Sequence, residues 1–171
     1  SKEKKKMKTL LIFSHTYWND SKVNRKLIES VKDFKDIKIH NLNETYKDNK
    51  ISKDNIKSEI SLLKEHEKII FQFPLFWFST PSLLKEWEDT VLTDILYGSE
   101  SKCLEGKTFQ IITTAGGEKS FYDSLEFGIN TILSPITTSF KYLGLKVENP
   151  YCIYQANADN LDLNEYHKYL R

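Results

Sequence analysis

The reactive and ligand-facing side chains of this 171-residue chain concentrate in three short stretches. Residues 14–24 read Ser-His-Thr-Tyr-Trp-Asn-Asp-Ser-Lys-Val-Asn, between an apolar run and a helical pattern. They contain no glycine, so the GxGxxG fingerprint of a dinucleotide pyrophosphate is absent. Instead, His15, Ser21, Lys22, Val23 and Asn24 stand just before a helix, where hydroxyls and free backbone N–H groups suit a phosphate. Taken alone, Ser21 reads as a plain helix cap. The second stretch, Pro74-Leu75-Phe76-Trp77-Phe78, keeps an aromatic run going where a loop normally turns polar. It suits a wall for a flat aromatic ligand, and equally a loop tucked into the core or against a partner subunit. The third, Thr113-Thr114-Ala115-Gly116-Gly117, is small enough for a ligand to approach the backbone, or for a simple turn. A phosphate cradle, an aromatic wall and a small-residue loop together suit a flat heterocycle with a phosphate tail, the shape of flavin mononucleotide.

Other chemistries find little support. His15, His40, His66 and His167 lack metal-ligand spacing and are not joined by the cysteines. There is no G-x-S-x-G elbow and no P-loop. Glu86, Glu88 and Asp89 read as solvated or at a subunit contact, and Trp87 as core. A net charge of +1 gives no global field for nucleic acid or a membrane surface. No apolar run approaches the ~20 residues of a membrane span, and the charged first residues do not form a signal peptide. Cys103 and Cys152 form no CxxC and read as free thiols in a reducing cytoplasm.

The three stretches must be held by regular elements. Residues 1–7 are expected to be a flexible basic head, and 8–171 a single domain. Apolar runs at 9–13, 69–73 and 108–114 read as strands buried on both faces, with a second strand at 36–42. A last strand over 147–154 is interrupted by Pro150, as at a sheet edge. Helical patterns fall between them. One follows Thr80-Pro81, with Thr80 as N-cap; one spans roughly 125–143 with Pro135 at a break, a kink or near its start and a stop at Gly144; one closes the chain over 160–171. Alternating strands and helices imply a doubly wound α/β fold, a three-layer sandwich around a five-stranded parallel sheet in the order 2-1-3-4-5. Such sheets bind ligands beyond the strands' carboxyl ends near the switch point, which selects the loops at 14–24, 74–80 and 113–122.

The run from Phe73 to Trp87, followed by Asp89 and Val91, resembles the flavodoxin-like NAD(P)H:quinone oxidoreductases. So do Ser14-His15, residues 21–24, Leu104-Glu105-Gly106-Lys107 and residues 113–117 at their intervals. The likeness is strongest to a small bacterial branch that includes the flavoprotein ancillary subunits of glutathione-gated potassium efflux. It implies a non-covalent flavin. His15 and residues 21–24 match the phosphate and ribityl loop, Leu75 to Phe78 the lining of the isoalloxazine ring, and Thr113 to Gly116, with Gly117 beside them, its pyrimidine edge. Tyr122 matches a tyrosine over the nicotinamide and quinone site. The histidine that partners this tyrosine in some relatives is missing from 123–130, where Gly128 stands near its place. Phe76 replaces a frequent glutamine, Ile95-Leu96 an aromatic–alanine pair, and Ala115 a common glycine.

The resemblance further implies hydride transfer from NAD(P)H through flavin N5 to a quinone or similar small acceptor, with ping-pong kinetics. It implies a homodimer with the flavin site at the interface. The short C-terminal end favours FMN over FAD. A second expectation is a regulatory subunit that binds a membrane potassium transporter, with reductase activity secondary. A one-electron carrier fits less well, because flavodoxins are usually strongly acidic.

Overall fold

The computed structural model describes residues 7–126 and 128–171. Of the basic head expected over residues 1–7, all but the exposed Met7 lies outside the described residues.

Strands β1 (Thr9–Phe13), β3 (Lys68–Pro74) and β4 (Thr108–Thr114) are almost wholly buried. Their sequences run apolar without alternation because helices cover both sheet faces. β2 (Ile37–Asn41) forms one edge. β5 (Lys146–Val147) and β6 (Tyr151–Ile153) both pair with β4 at the other. Every pairing is parallel, in the order β2-β1-β3-β4-β5, with β6 also on β4. One correction to the expected five strands follows: two short strands fill the fifth position, so the sheet has six. Pro150 has no N–H for the ladder, and the Asn149 carbonyl accepts from Gln110 Nε2 at 2.8 Å, so the edge breaks between them.

The helices are α1 (Val23–Val31), α2 (Leu42–Thr45), α3 (Lys53–Lys64), α4 (Ser82–Trp87), α5 (Thr93–Tyr97), α6 (Lys119–Ser124), α7 (Gly128–Ile132), α8 (Ser134–Tyr142) and α9 (Leu163–Leu170). A π-helical turn, Glu88–Leu92, joins α4 to α5. Leu27, Ile28 and Val31 of α1 and Tyr166 and Leu170 of α9 pack on Leu11, Phe13, Ile70 and Ile112. On the opposite face Leu63, Leu83, Leu84, Trp87, Val91 and Phe140 pack on Leu10, Ile12, Ile69, Phe71, Phe109 and Ile111. Phe71 meets Trp87, Phe109 and Phe140 edge-on, and Phe109 stacks on Phe140 at 3.7 Å. Each such buried ring contributes about 1.5–3 kcal/mol.

Three helix expectations are corrected. The single helix over 125–143 is instead α7 and α8, after the extended Leu125 ends α6. Pro135 lies in the first turn of α8, where its missing N–H has no intrahelical partner to lose. Gly144, at φ +91, ends α8 in the left-handed conformation glycine allows. The last helix starts at Leu163 rather than 160, because Asp162 caps it by accepting from Glu165 N–H at 3.0 Å. After Thr80, the cap position of α4 is taken by Pro81, with no side-chain cap bond.

A carboxylate sits inside this packing. Glu59 of α3 is 2% exposed and accepts from Trp87 Nε1 at 2.7 Å and from Tyr46 Oη at 2.8 Å. His40 Nε2 lies 2.7 and 2.8 Å from its two oxygens. Burial alone pushes this carboxyl up, but His40, Trp87 and Tyr46 together hold it below the ordinary value. Glu59 thereby ties α3 to β2, α4 and the segment after α2.

Candidate functional site

Register decides where the loops emerge. Phe13 is level with Gln72, Phe73 with Thr113, and Pro74 with Thr114. The chain therefore leaves β1, β3 and β4 at one end of the sheet, and the loops singled out from sequence meet there.

The first loop is braced from the β2 side. Asn43 Oδ1 accepts from Ser14 Oγ and from His15 N–H, both at 2.9 Å. His15 Nδ1 accepts the Tyr17 N–H at 3.0 Å, which leaves the ring proton of the neutral imidazole on Nε2. Burial pushes the His15 pKa down, in keeping with that neutral form. Its ring meets Phe76 edge-on at 5.7 Å, which joins the first loop to the second. Ser21 does not cap α1: Lys22 holds the cap position, with no side-chain cap bond. The Ser21 hydroxyl is buried and has no hydrogen-bond partner among the described residues. It lies at a helix N-terminus whose first N–H groups lack intrahelical acceptors. An orphaned hydroxyl beside free N–H donors, with Lys22 exposed next to it, fits a phosphate. Val23, in the first turn of α1, contributes its backbone rather than a polar side chain. Asn24 is different, since its side chain is buried behind the loop and committed to Gln72 and Thr114.

The second loop stays stitched to the sheet past the proline. Leu75 N–H donates to Thr114 O at 2.9 Å, so pairing continues one residue beyond Pro74, where the sequence suggested an end. In a parallel strand alternate residues bond to opposite neighbours, and the N–H that Pro74 lacks would point past the end of β1. Phe76 and Ser79 then exchange both backbone hydrogen bonds, at 2.9 and 3.0 Å, around a two-residue turn. Trp77 and Phe78 hold its central positions at φ +50 and +64. That is the pattern usually filled by Asn-Gly. The turn presents Trp77 to the outside at 94% exposure.

The third loop is shorter than the sequence suggested, because α6 begins at Lys119 and carries Tyr122. Thr113 Oγ1 donates to Phe73 O at 2.7 Å, so its side chain fastens the strand instead of facing a ligand. Beside Gly116 there is open space, whereas a side chain at Gly117 would meet Tyr122 Cε2 at 3.1 Å. Gly117 is thus needed by the Tyr122 ring. Tyr122 is 6% exposed, in contact with Phe78, Phe121 and Tyr154. Burial pushes its phenol pKa up.

A fourth segment, not singled out from the sequence, completes the rim. Ala115 N–H donates to Ile153 O, Ala156 N–H to Ala115 O, and Gln155 N–H to Gly117 O. Gln155 adopts φ +46 in doing so. The segment brings Tyr154 to within 5.6 Å of Tyr122, ring to ring. Neither Tyr154 nor Asn43 carries a local sequence signal; both matter through contacts with distant residues.

Glu88, expected to be solvated or at a subunit contact, is only partly exposed. One of its oxygens is buried without a partner among the described residues, and burial pushes its carboxyl up to about 7, with Lys85 opposing and Asp89 adding to the rise. It borders a groove of about 520 Å³ between the 82–97 helical stretch and α8. Among the described residues no helix is long and apolar enough to cross a membrane.

The fold agrees with comparisons to known proteins. The profile of the flavodoxin-like fold family matches residues 7–171. The uncharacterized NAD(P)H oxidoreductase YrkL of Bacillus subtilis is 35% identical over 144 residues, 82% of this chain and 81% of the relative. The glutathione-regulated potassium-efflux ancillary protein KefF of an Enterobacter species is 30% identical over 163 residues, 92% of this chain and 91% of its own. Treponema denticola general stress protein 14, solved with FMN, superposes with a TM-score of 0.84 at 28% identity, over 95% of this chain and 97% of its own. An NADPH-quinone reductase from P. pentosaceus superposes at 0.83 and 26% identity, over 96% and 98%. With the sheet order, the aromatic turn and the phosphate-fitting helix terminus all in place, the chain belongs to the flavodoxin-like family that holds these NAD(P)H oxidoreductases and potassium-efflux ancillary proteins.

Proposed function

We propose that this protein is a flavin-dependent NAD(P)H oxidoreductase that passes reducing equivalents to a quinone or similar small acceptor, with FMN as its cofactor. The buried Ser21 hydroxyl at the N-terminus of α1, unpartnered among the described residues, carries the reading. The oxidoreductase and quinone-reductase names of its relatives and the FMN held by the Treponema neighbour support it. Bound flavin would supply the hydride acceptor and donor. Ser21, Lys22 and the first N–H groups of α1 would hold the phosphate, with His15 Nε2–H as a further donor. Trp77 and Phe78 would wall the ring, and Leu75, Phe76 and the open side of Gly116 would bring backbone close to it. The absorption spectrum of the purified protein tests this, with chromatography of what heat releases. Flavin bands with released FMN are the expected result. A protein that stays colourless after addition of FMN or FAD would overturn it.

Tyr122 is proposed as the hydroxyl that hydrogen-bonds the acceptor. Its raised pKa keeps it protonated at neutral pH, as a donor must be. Tyr122→Phe is expected to lower kcat by about tenfold, one neutral hydrogen bond's worth, with FMN affinity unchanged. Stopped-flow reoxidation of the reduced protein by a quinone measures it, and unchanged reoxidation would remove Tyr122 from the mechanism.

Exposure of Trp77 at 94% favours a second copy of the chain covering this end, which would place the flavin site at a dimer interface. Sedimentation equilibrium distinguishes the two states. A second reading, favoured by the KefF relative, is a regulatory partner of a membrane potassium transporter.

A further inference from the structure

Beneath the candidate site runs an unbroken chain of buried hydrogen bonds. The Tyr166 hydroxyl, on α9, donates to Gln72 Oε1 at 2.6 Å. Gln72 Nε2 donates to Asn24 Oδ1 at 3.2 Å, and Asn24 Nδ2 to Thr114 Oγ1 at 3.1 Å. All four side chains are buried. The chain joins α9, β3, α1 and the last residue of β4, and it ends where the third loop begins.

Such a chain has a direction. An amide has a donor end and an acceptor end, so the first bond dictates the next. Tyr166 has Gln72 as the only hydrogen-bond partner of its hydroxyl among the described residues. Burial pushes its phenol pKa well up, so it keeps its proton. If the chain ran the other way, Gln72 would donate to Tyr166, and the phenolic proton would be left fully buried without an acceptor, which is disfavoured. With Tyr166 donating, Gln72 must offer its NH₂ to Asn24, and Asn24 its NH₂ to Thr114. Thr114 then accepts from within, and its own proton is given to no described residue.

We propose that Tyr166, Gln72 and Asn24 are positioning residues that fix the Thr114 hydroxyl as a donor toward the pocket, where it meets an acceptor on the pyrimidine edge of the flavin. This rests on the flavin reading above. The other polarity would present a lone pair there and repel a carbonyl oxygen.

A double-mutant cycle tests it, using Tyr166→Phe, Thr114→Val and the double variant. The readouts are the FMN dissociation constant from fluorescence quenching and the midpoint potential of the bound flavin. The first two variants should each weaken FMN binding by about 2- to 12-fold, the range of one neutral hydrogen bond, and shift the potential in the same direction. The double variant should match Thr114→Val alone. Should Tyr166→Phe not fold, Gln72→Leu breaks the same chain and enters the same cycle. Additive effects, or a lowered Tm with unchanged affinity and potential, would overturn the relay while leaving the flavin site standing. Wild-type protein without affinity for flavin would overturn the site reading and this one with it.

Discussion

Glu59→Ala is expected to destabilise the protein by about 3–5 kcal/mol, because it removes the acceptor shared by three buried donors and leaves a void. For a chain of this length that lowers Tm by on the order of 10 °C or more. The loss would come from helix placement as much as from packing. Trp87 Nε1 and Tyr46 Oη both end on this carboxylate, and neither has another acceptor among the described residues. Glu59→Gln should cost far less, since the amide oxygen still accepts from Trp87 and its NH₂ can meet His40 in the other tautomer. The pH dependence has a definite sign. A carboxyl held below its ordinary value adds stability above the unfolded pKa, and that stability disappears as pH falls through the lower folded value. Wild-type Tm should therefore fall on acidification below about pH 4.5, and the slope should flatten in Glu59→Gln. Thermal melts from pH 7 to pH 3 measure both. An unchanged slope would show that Glu59 does not titrate with folding.

The second large effect has opposite signs for stability and for function. Replacing Trp77-Phe78 with Asn-Gly should raise stability by about 1–3 kcal/mol, since left-handed backbone strains a bulky residue by roughly 1–2 kcal/mol at each position. The same change should weaken flavin binding by about 5- to 150-fold, because stacking on an aromatic side chain is worth ~1–3 kcal/mol. Chemical denaturation of the flavin-free protein and FMN titration read the two effects separately. A variant that was less stable, or that bound FMN as wild type does, would show that the turn is not held against strain for the sake of its rings.

This turn also marks where the sequence stopped being legible. Aromatic residues are poor formers of a positive-φ turn, so nothing local in Phe76-Trp77-Phe78-Ser79 announces one. The strands were legible for a simple reason: burial on both faces leaves no room for polar residues in Leu10-Leu11-Ile12-Phe13 or Ile69-Ile70-Phe71. Pro150 and Gly144 were legible because each is conformationally restricted or permissive in a way that marks an edge or a stop. Asn24 was placed in the site for its position in the first loop, and its side chain turned out to serve the site from behind. Its partners lie 48 and 90 residues away, and the chain they form ends a further 94 residues from Gln72. Asn43 looked like one polar residue among many in a charged connection, and only folding sets it against Ser14 and His15. Long-range polar pairing of this kind has no periodicity for a sequence to display.

The split at Pro150 bears on how copies of this chain can meet. An open sheet exposes unpaired N–H and C=O groups along its outer strands, and a long flat edge is a template for another chain's strand. Here one border consists of two- and three-residue pieces separated by a proline, beginning with the exposed Lys146. The other, β2, is five residues long and carries the exposed Lys38 at its second position. The first border offers no continuous ladder for edge-to-edge growth, and the second carries an exposed lysine that discourages it. Self-association by strand addition is thus discouraged at both ends of the sheet, and contact between copies is left to helices and loops, where the exposed aromatic side chains are.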